Sequence, residues 1–499
     1  MEGEKSFVRV WHHAPVTVAR NPASPPETEE GTARAPGLRR GLGTWDGALI
    51  TIGATLGSGI FLTTGDIARR LPHAGLILLL FGVGGLVTVA GALAYAELGA
   101  MFPRAGGQYH FLKEAYGPLW GFLFGWTSFL VIMTGGIATI AVGFGEYLGA
   151  FIPFFSSSQV WHIAQIGPWP WTVNGAQLAG ALALALLTGI NYLGLRQGAL
   201  VQNLATGLKT LAVVALAGVG LVVLPTASPD WLAPLPSSGL VSGLGLGMLA
   251  VLWTYDGWYV LTFSAGEMRT PARSLPRGLI AGTLSVTALY LLVNWAYLRA
   301  LTPLEMGRTQ RVGEAAANAL FGQNGARVVA ATILLAMFGC LASNILCCSR
   351  IYLPMAQDRL FFGALARIHP RYRIPSTSLL AQGAWAVALA LSGTYEQLYT
   401  WATFASVLFQ AATGAAVFVL RRKHPELPRP YRAWGHPWVT GLFVAACLAL
   451  VLVTLVQSPR GSLMGLLLVG SGVPAYRWWR RRSETQGRIA DAELPEGQR

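Results

Sequence analysis

Thr55-Leu56-Gly57-Ser58-Gly59-Ile60-Phe61 lies at the middle of residues 45–70, an otherwise apolar run long enough to cross a bilayer. Glycine lacks a Cβ, so Gly57 and Gly59 let the backbone open and aim successive N–H groups at a ligand. A helix in hydrocarbon satisfies its own polar groups, and an unwound stretch at mid-depth is tolerated only where protein or a water-filled cavity supplies partners. Residues 240–267 carry a second interruption, Thr254-Tyr255-Asp256-Gly257. Two broken spans, each near the start of one half of the chain, point to a substrate site at the bilayer midplane, as in secondary transporters built from inverted repeats. The sequence reads as a carrier.

Composition agrees with that class: 53% of 499 residues are hydrophobic, 12% are charged, and mean hydropathy is +0.49. Apolar stretches recur at about 45–70, 74–101, 118–150, 174–191, 199–224, 240–267, 277–299, 326–356, 377–392, 397–420, 438–456 and 462–479, which predicts twelve spans. An even number puts both termini on one side. With the termini inside, 28 Lys/Arg fall in cytoplasmic segments, seven in outside loops and one, Lys209, within a span. This bias assigns both termini to the cytoplasm of a multi-pass protein of the cell (inner) membrane. Topology and anionic-lipid contact account for most of the net charge of +14, and no nucleic-acid signal appears. The expected organisation is a disordered cytoplasmic N-terminal tail (1–44), a transport core of spans 1–10 (45–421), spans 11–12 (422–482) and a C-terminal cytoplasmic tail (483–499).

Several chemistries are excluded. Cys340, Cys347, Cys348 and Cys447 all fall in apolar spans, where a thiol behaves as a small hydrophobe, and no structural disulfide is implied. None of the eight histidines sits mid-span, and no Cys/His spacing suggests a metal site. Lys5 and Lys209, which precede Ser and Thr, follow Glu4 and Leu208 where a phosphate loop needs Gly, and no Gly-x-Ser-x-Gly elbow occurs. An ATP-driven pump or a hydrolase has no support, and no cofactor is expected.

The first break, with Thr55, Gly57, Ser58 and Gly59, combines open N–H groups with the positive end of the second half-helix, for which a carboxylate is the natural guest. Small residues that merely allow close helix packing are the competing reading. The second break, Trp253 to Trp258 with Tyr255, Asp256 and Gly257, exposes carbonyls that suit an ammonium, and Trp253 is placed to cover the site. Asp256 either tunes polarity or only caps the half-helix; an ionisable residue there needs a partner. Lys209 lies about 13 residues beyond Arg196 and about ten beyond the start of its span, roughly 15 Å into the core at 1.5 Å per residue. It either places its ammonium against the first broken helix, replacing a bound cation, or titrates; snorkelling is the bland alternative. Glu97, Arg104, Glu267 and Arg269 sit near predicted cytoplasmic span ends and are candidates for ion pairs that latch an inner gate.

Gly57-Ser58-Gly59-Ile60-Phe61, Tyr95-Ala96-Glu97-Leu98 with Pro103-Arg104-Ala105-Gly106-Gly107-Gln108-Tyr109, and Tyr255-Asp256-Gly257-Trp258 with Glu267-Met268-Arg269-Thr270-Pro271 resemble successive signatures of the amino acid–polyamine–organocation superfamily. Ser349-Arg350-Ile351-Tyr352 and Arg421 to Pro430 resemble its L-type amino acid transporter branch, and the match runs from about residue 42 to 482. The resemblance implies an all-α, LeuT-like fold: spans 1–5 and 6–10 as 5+5 inverted repeats, broken helices 1 and 6, and two further helices. Carried over by position, the substrate carboxylate meets Gly57, Ser58 and Gly59. Its ammonium meets carbonyls at Thr55, Trp253 and Asp256, and Trp253 stands where the family has a gating aromatic. Lys209 matches the fifth-span lysine of sodium-independent members.

Two departures limit the transfer. Residues 151–172 contain no Cys, so the disulfide-linked heavy chain of the animal members is not expected, and the chain resembles prokaryotic relatives that stand alone as a monomer or loose oligomer. Asp256 replaces a Gly common in the animal members, which leaves side-chain preference open. The expected function is sodium-independent, alternating-access transport of α-amino acids by exchange. The alternatives are proton-coupled symport through Lys209, a polyamine or organic-cation carrier, and a non-transporting membrane sensor or enzyme.

Overall fold

The computed structural model describes residues 41–166, 169–193, 239–393 and 395–492, and between 194 and 238 it describes 204, 206–211, 213–215, 218, 227, 229–231 and 233–235. Most of the expected N-terminal tail, Arg196, most of the fifth predicted span and residues 493–499 therefore lie outside the described residues.

The chain is a helical bundle. The first span is the pair α1 (Thr44–Thr55) and α2 (Gly59–Arg70), bent by 42° at residues 56–58. Then follow α3 (Ala74–Met101), α4 (Gln108–Tyr116), α5 (Pro118–Thr127), α6 (Met133–Leu148) and α7 (Gly175–Tyr192). A five-residue π turn, Ser128–Ile132, joins α5 to α6 within one span. The second half holds α8 (Leu240–Tyr255), continued by a 3₁₀ segment Val260–Glu267, and α9 (Pro271–Ala300), α10 (Val312–Cys348) and α11 (Tyr352–Gln357). It closes with α12 (Ser376–Ala390), α13 (Tyr395–Lys423), α14 (Trp438–Gln457) and α15 (Pro459–Ala492). The layout is LeuT-like, with spans 1 and 6 broken.

Among the described residues, eight helices are long and apolar enough to cross a membrane, or nine with the bent first pair counted as one. The difference from twelve has local causes. The fifth predicted span is only partly described, the ninth is the 15-residue α12, short for a 30 Å core, and the twelfth lies in α15, which is not among the helices apolar enough to count. The all-α expectation misses one small element: Val160–Ile166 (β1) and Trp169–Asn174 (β2) pair antiparallel in the connection between α6 and α7. The last helix runs on to Ala492, beyond residue 479, where the twelfth predicted span ends.

Sequence-local chemistry sets several boundaries. Asn174 and Gln177 form a reciprocal capping box at the start of α7 (2.9 and 2.8 Å), Pro118 opens α5, and Gly322 (φ 69°) kinks α10. The core centres on the broken spans. α9 lies along α1 because Gly282 approaches Thr51 so closely that a Cβ there would stand 2.5 Å from the Thr51 Cβ. Thr51, Ile52, Tyr290 and Tyr297 are all buried in this contact zone.

Candidate substrate-binding site

The two breaks cross in direct contact. A Cβ on Gly59 would fall 2.6 Å from Thr254 Cα, and one on Gly257 (φ +99°) would fall 2.7 Å from the Ala54 oxygen. Only glycine fits both positions, and at Gly257 the left-handed backbone also requires it. Thr63 and Thr254 hydroxyls lock the crossing at 2.6 Å.

A helix that stops in mid-membrane leaves its last four carbonyls without internal partners. At the end of α1 each of these finds one. Gly53 O and Leu56 O accept from the Lys209 ammonium (2.5 and 3.0 Å), and Ala54 O accepts from Asn344 Nδ2 and Cys340 Sγ (both 3.3 Å). Thr55 O accepts from Gly57 N–H (2.8 Å) and faces the Tyr290 hydroxyl (2.8 Å), whose single proton is shared with Thr254 O at 3.0 Å. Lys209 is fully buried, so its ammonium offsets the negative end of the α1 dipole in a place water does not reach.

The start of α2 is the converse. Among the described residues, the N–H groups of Ser58, Gly59 and Ile60 have no acceptor. Three open donors at the positive end of a helix dipole are the arrangement that suits an anion. The cavity in front of them is lined by Gly57, Ser58 and Gly59 from the first break, Ile132 to Ile140 from the third span, Trp253, Asp256 and Gly257 from the second break, and Asn344. It has about 30 Å3 of free space, room for about two waters, so the site is contracted.

A tyrosine roofs this cavity. Tyr395 Oη accepts from Trp253 Nε1 (3.2 Å) and lies 3.1 Å from Ser58 Oγ, tying the two breaks together. Trp253 stacks on Tyr399 at 6.0 Å. On the other side of Tyr395 a wider vestibule of about 450 Å3, bordered by Asp66, Glu146 and Asn174, opens along α2 and α6. The opposite, basic end is closed by paired charges. Glu267 meets Arg350 (2.6 and 2.8 Å), and Glu97 meets Arg421 (2.6 and 2.9 Å) and receives Ala433 N–H at 2.7 Å. Asp358 accepts from Tyr109 (2.5 Å) and Lys113 (2.6 Å).

The geometry corrects two sequence expectations. Glu97 and Glu267 are ion-paired, but with Arg421 and Arg350 instead of Arg104 and Arg269. The real partners come from distant helices that end at the same depth. Tyr255 does not line the cavity: its hydroxyl donates to Phe81 O (3.1 Å), because the helix turn carries residue 255 toward α3 and away from residue 254. Of the carbonyls assigned to an ammonium, Thr55 O already meets two donors, Trp253 O accepts Asp256 N–H at 3.0 Å and keeps a second lone pair, and Asp256 O has no donor among the described residues.

Asp256 has no basic partner among the described residues. Gln410 Nε2 (3.2 Å), Ser406 (3.4 Å) and Tyr259 (3.4 Å) donate to its carboxylate, so α13 and the second break share this side chain. Tyr290, Tyr395 and Asn344, all central to the site, escape the sequence reading. Each is an ordinary residue in an apolar run, and only packing gives it a role.

Comparison with known proteins follows the same lines. The amino acid permease family profile matches residues 42–469. The serine/threonine exchanger SteT of Bacillus subtilis (strain 168) is 28% identical over 449 residues, covering 89% of this chain and 98% of that protein. The human large neutral amino acids transporter small subunit 2 is 30% identical over 448 residues (88% and 80%). The b(0,+)-type amino acid transporter 1 of Oryctolagus cuniculus is 29% identical over 401 residues (79% of each).

Proposed function

The chain belongs to the amino acid permease family, and from that premise we propose that it is a sodium-independent exchanger of α-amino acids working by alternating access. It is a membrane transporter of amino acids and not an enzyme. One observation carries the finer reading: the asymmetry at the first break, where Lys209 takes the carbonyl end of α1 and the amide end of α2 stays open. A fixed ammonium at those carbonyls supplies the charge that a metal cation would otherwise bring, which supports sodium independence. Three open N–H groups suit the carboxylate common to all α-amino acids, while the apolar wall of Ile132, Met133, Ile137 and Ile140 faces the variable part of the solute.

In this reading Thr55 and Tyr255 support the breaks from behind, Gly57, Ser58, Gly59 and Gly257 shape the contact surface, and Trp253 with Tyr395 closes the outer side. The Glu97–Arg421, Glu267–Arg350 and Asp358–Lys113 pairs close the inner side, with the basic face toward the cytoplasm of the cell membrane. The four cysteines are all buried and unbridged, which leaves no accessible thiol for a disulfide-linked partner.

The test is uptake of single radiolabelled amino acids, without sodium, into liposomes holding the purified protein, with and without internal amino acid. Exchange predicts uptake only into preloaded vesicles. Uptake into empty vesicles that follows an inward proton gradient, and loses that dependence in Lys209→Ala, would replace exchange by symport. Absence of amino acid uptake in either case refutes the proposal.

A further inference from the structure

At the basic end of the bundle, away from the substrate cavity, the loop after α11 and the end of α15 enclose a cleft of about 370 Å3. Its back wall is aromatic: Phe361 and Phe362 meet the Trp479 ring at 5.5 and 5.1 Å, and Phe361 also packs on Trp126 at 6.2 Å. Its rim is basic and exposed. Arg482 lies over the Trp478 ring, 5.4 Å from its centre, and Arg359, from the loop after α11, lines the same cleft. Neither arginine has an acidic partner among the described residues. Arg359 also holds φ +57°, a left-handed conformation that a residue with a Cβ adopts at a cost unless its surroundings fix it. Phe362 and Trp478 remain 55% and 52% exposed beside these charges.

Aromatic rings at the end of a span sit at the membrane–water boundary, and guanidinium groups hold phosphate through paired, charge-assisted hydrogen bonds. Basic pockets between spans are where anionic headgroups lodge. Two guanidinium groups lining a cleft with an aromatic floor, neither with an acidic partner among the described residues, match a phosphodiester joined to acyl chains, with phosphate at the rim and glycerol and chains along Phe362 and Trp478. We propose that this cleft binds the headgroup of an anionic phospholipid, held by Arg359 and Arg482. The proposal rests on no assignment of transport substrate, so its failure and that of the exchange reading are separate results.

The experiment is native mass spectrometry of the full-length protein in detergent, offered phosphatidylglycerol or phosphatidylcholine. Wild type is expected to retain phosphatidylglycerol at least tenfold more than phosphatidylcholine. Arg359→Gln/Arg482→Gln should lose that preference, while Arg371→Gln/Arg422→Gln, which removes the same charge elsewhere on the basic face, should keep it within about twofold, a 1.4 kcal/mol step being tenfold. Equal loss in both double variants would reduce the effect to diffuse charge and overturn the site. So would retention in the first variant, no preference in wild type, or displacement of the lipid by millimolar glycerol phosphate, which would mark a soluble-phosphate site. Should the double variant unfold in a thermal scan, Arg482→Gln alone serves, with an expected loss of at least threefold.

Discussion

Glu267 and Arg350 form a bidentate ion pair at 2.6 and 2.8 Å, with 1% of each side chain exposed. Arg350 adds a further hydrogen bond to the Leu346 carbonyl, and the Glu267 carbonyl receives Gly41 and Leu42 N–H at 2.8 and 3.0 Å. The pair thus joins the end of α10, the segment after the second break and the chain that enters the first broken span. It is the most buried of the latches at the basic end.

Removing one partner of such a pair leaves the other charge buried and uncompensated, at a cost of about 3–5 kcal/mol. Arg350→Ala is expected to lower the thermal midpoint in detergent strongly. Glu267→Gln/Arg350→Gln should recover most of the loss, because no bare charge remains. A double variant no more stable than Arg350→Ala would mean that packing, not charge, dominates there.

Lys209→Met deletes the donors to Gly53 O and Leu56 O but keeps the side-chain volume. Charge-assisted bonds of about 1.5–3 kcal/mol each make a fall in exchange rate of at least about tenfold the expected result in proteoliposomes. Lys209→Arg should not rescue it, since a planar fork cannot place one point charge between these two oxygens.

Tyr395→Phe separates Trp253 Nε1 and Ser58 Oγ from their shared partner while keeping the ring. Two neutral hydrogen bonds of about 1 kcal/mol each convert to a rise in apparent Km between about five- and thirtyfold. An unchanged Km would show that the ring alone closes the outer side.

Asp256→Asn keeps an oxygen for Ser406 and Gln410 and offers an amide to Tyr259, so neutral amino acid exchange should change less than about threefold. Asp256→Ala leaves three buried groups without their acceptor and should cost about 1–3 kcal/mol of stability, visible as a lower thermal midpoint. If a cationic solute's apparent affinity is untouched by Asp256→Asn, the organic-cation reading falls.

His110 in α4, outside the spans, is held down to about 4 by burial, with Lys113 and Arg104 pushing the same way and Asp358 opposing. The folded protein therefore prefers the neutral imidazole while the unfolded chain takes up a proton near the ordinary value. Stability from this group is present above about pH 6.5 and declines as pH falls toward 4. Melting midpoints between pH 7.5 and 5 should fall less steeply in His110→Gln than in wild type.

Both breaks were legible because they are local backbone signals: Gly57-Ser58-Gly59 and Asp256-Gly257 announce themselves within a few residues. Lys209 stood out because a lone cation deep in an apolar run has few reasons to be there. What stayed hidden depends on contact between distant segments. Tyr290 reaches Thr55 across 235 residues, Tyr395 reaches Ser58 across 337, and Arg421 reaches Glu97 across 324. Nearness in sequence points to Arg104 and Arg269, but depth and helix face decide ion pairing. Tyr255 failed for the same reason, since one residue along a helix turns the side chain by about 100°.

The open amides of Ser58, Gly59 and Ile60 bear on turnover. To change sides, the site must first be sealed from both aqueous phases, and an empty protein would seal those donors with room for only about two waters. A buried donor without an acceptor costs about 1–3 kcal/mol, so each donor left without a water raises the barrier to reorientation without cargo. A solute carboxylate removes that penalty. In an exchanger the cargo would then act as the counterpart that lets the protein turn over, and the slow step of the cycle would be the return of an unloaded molecule.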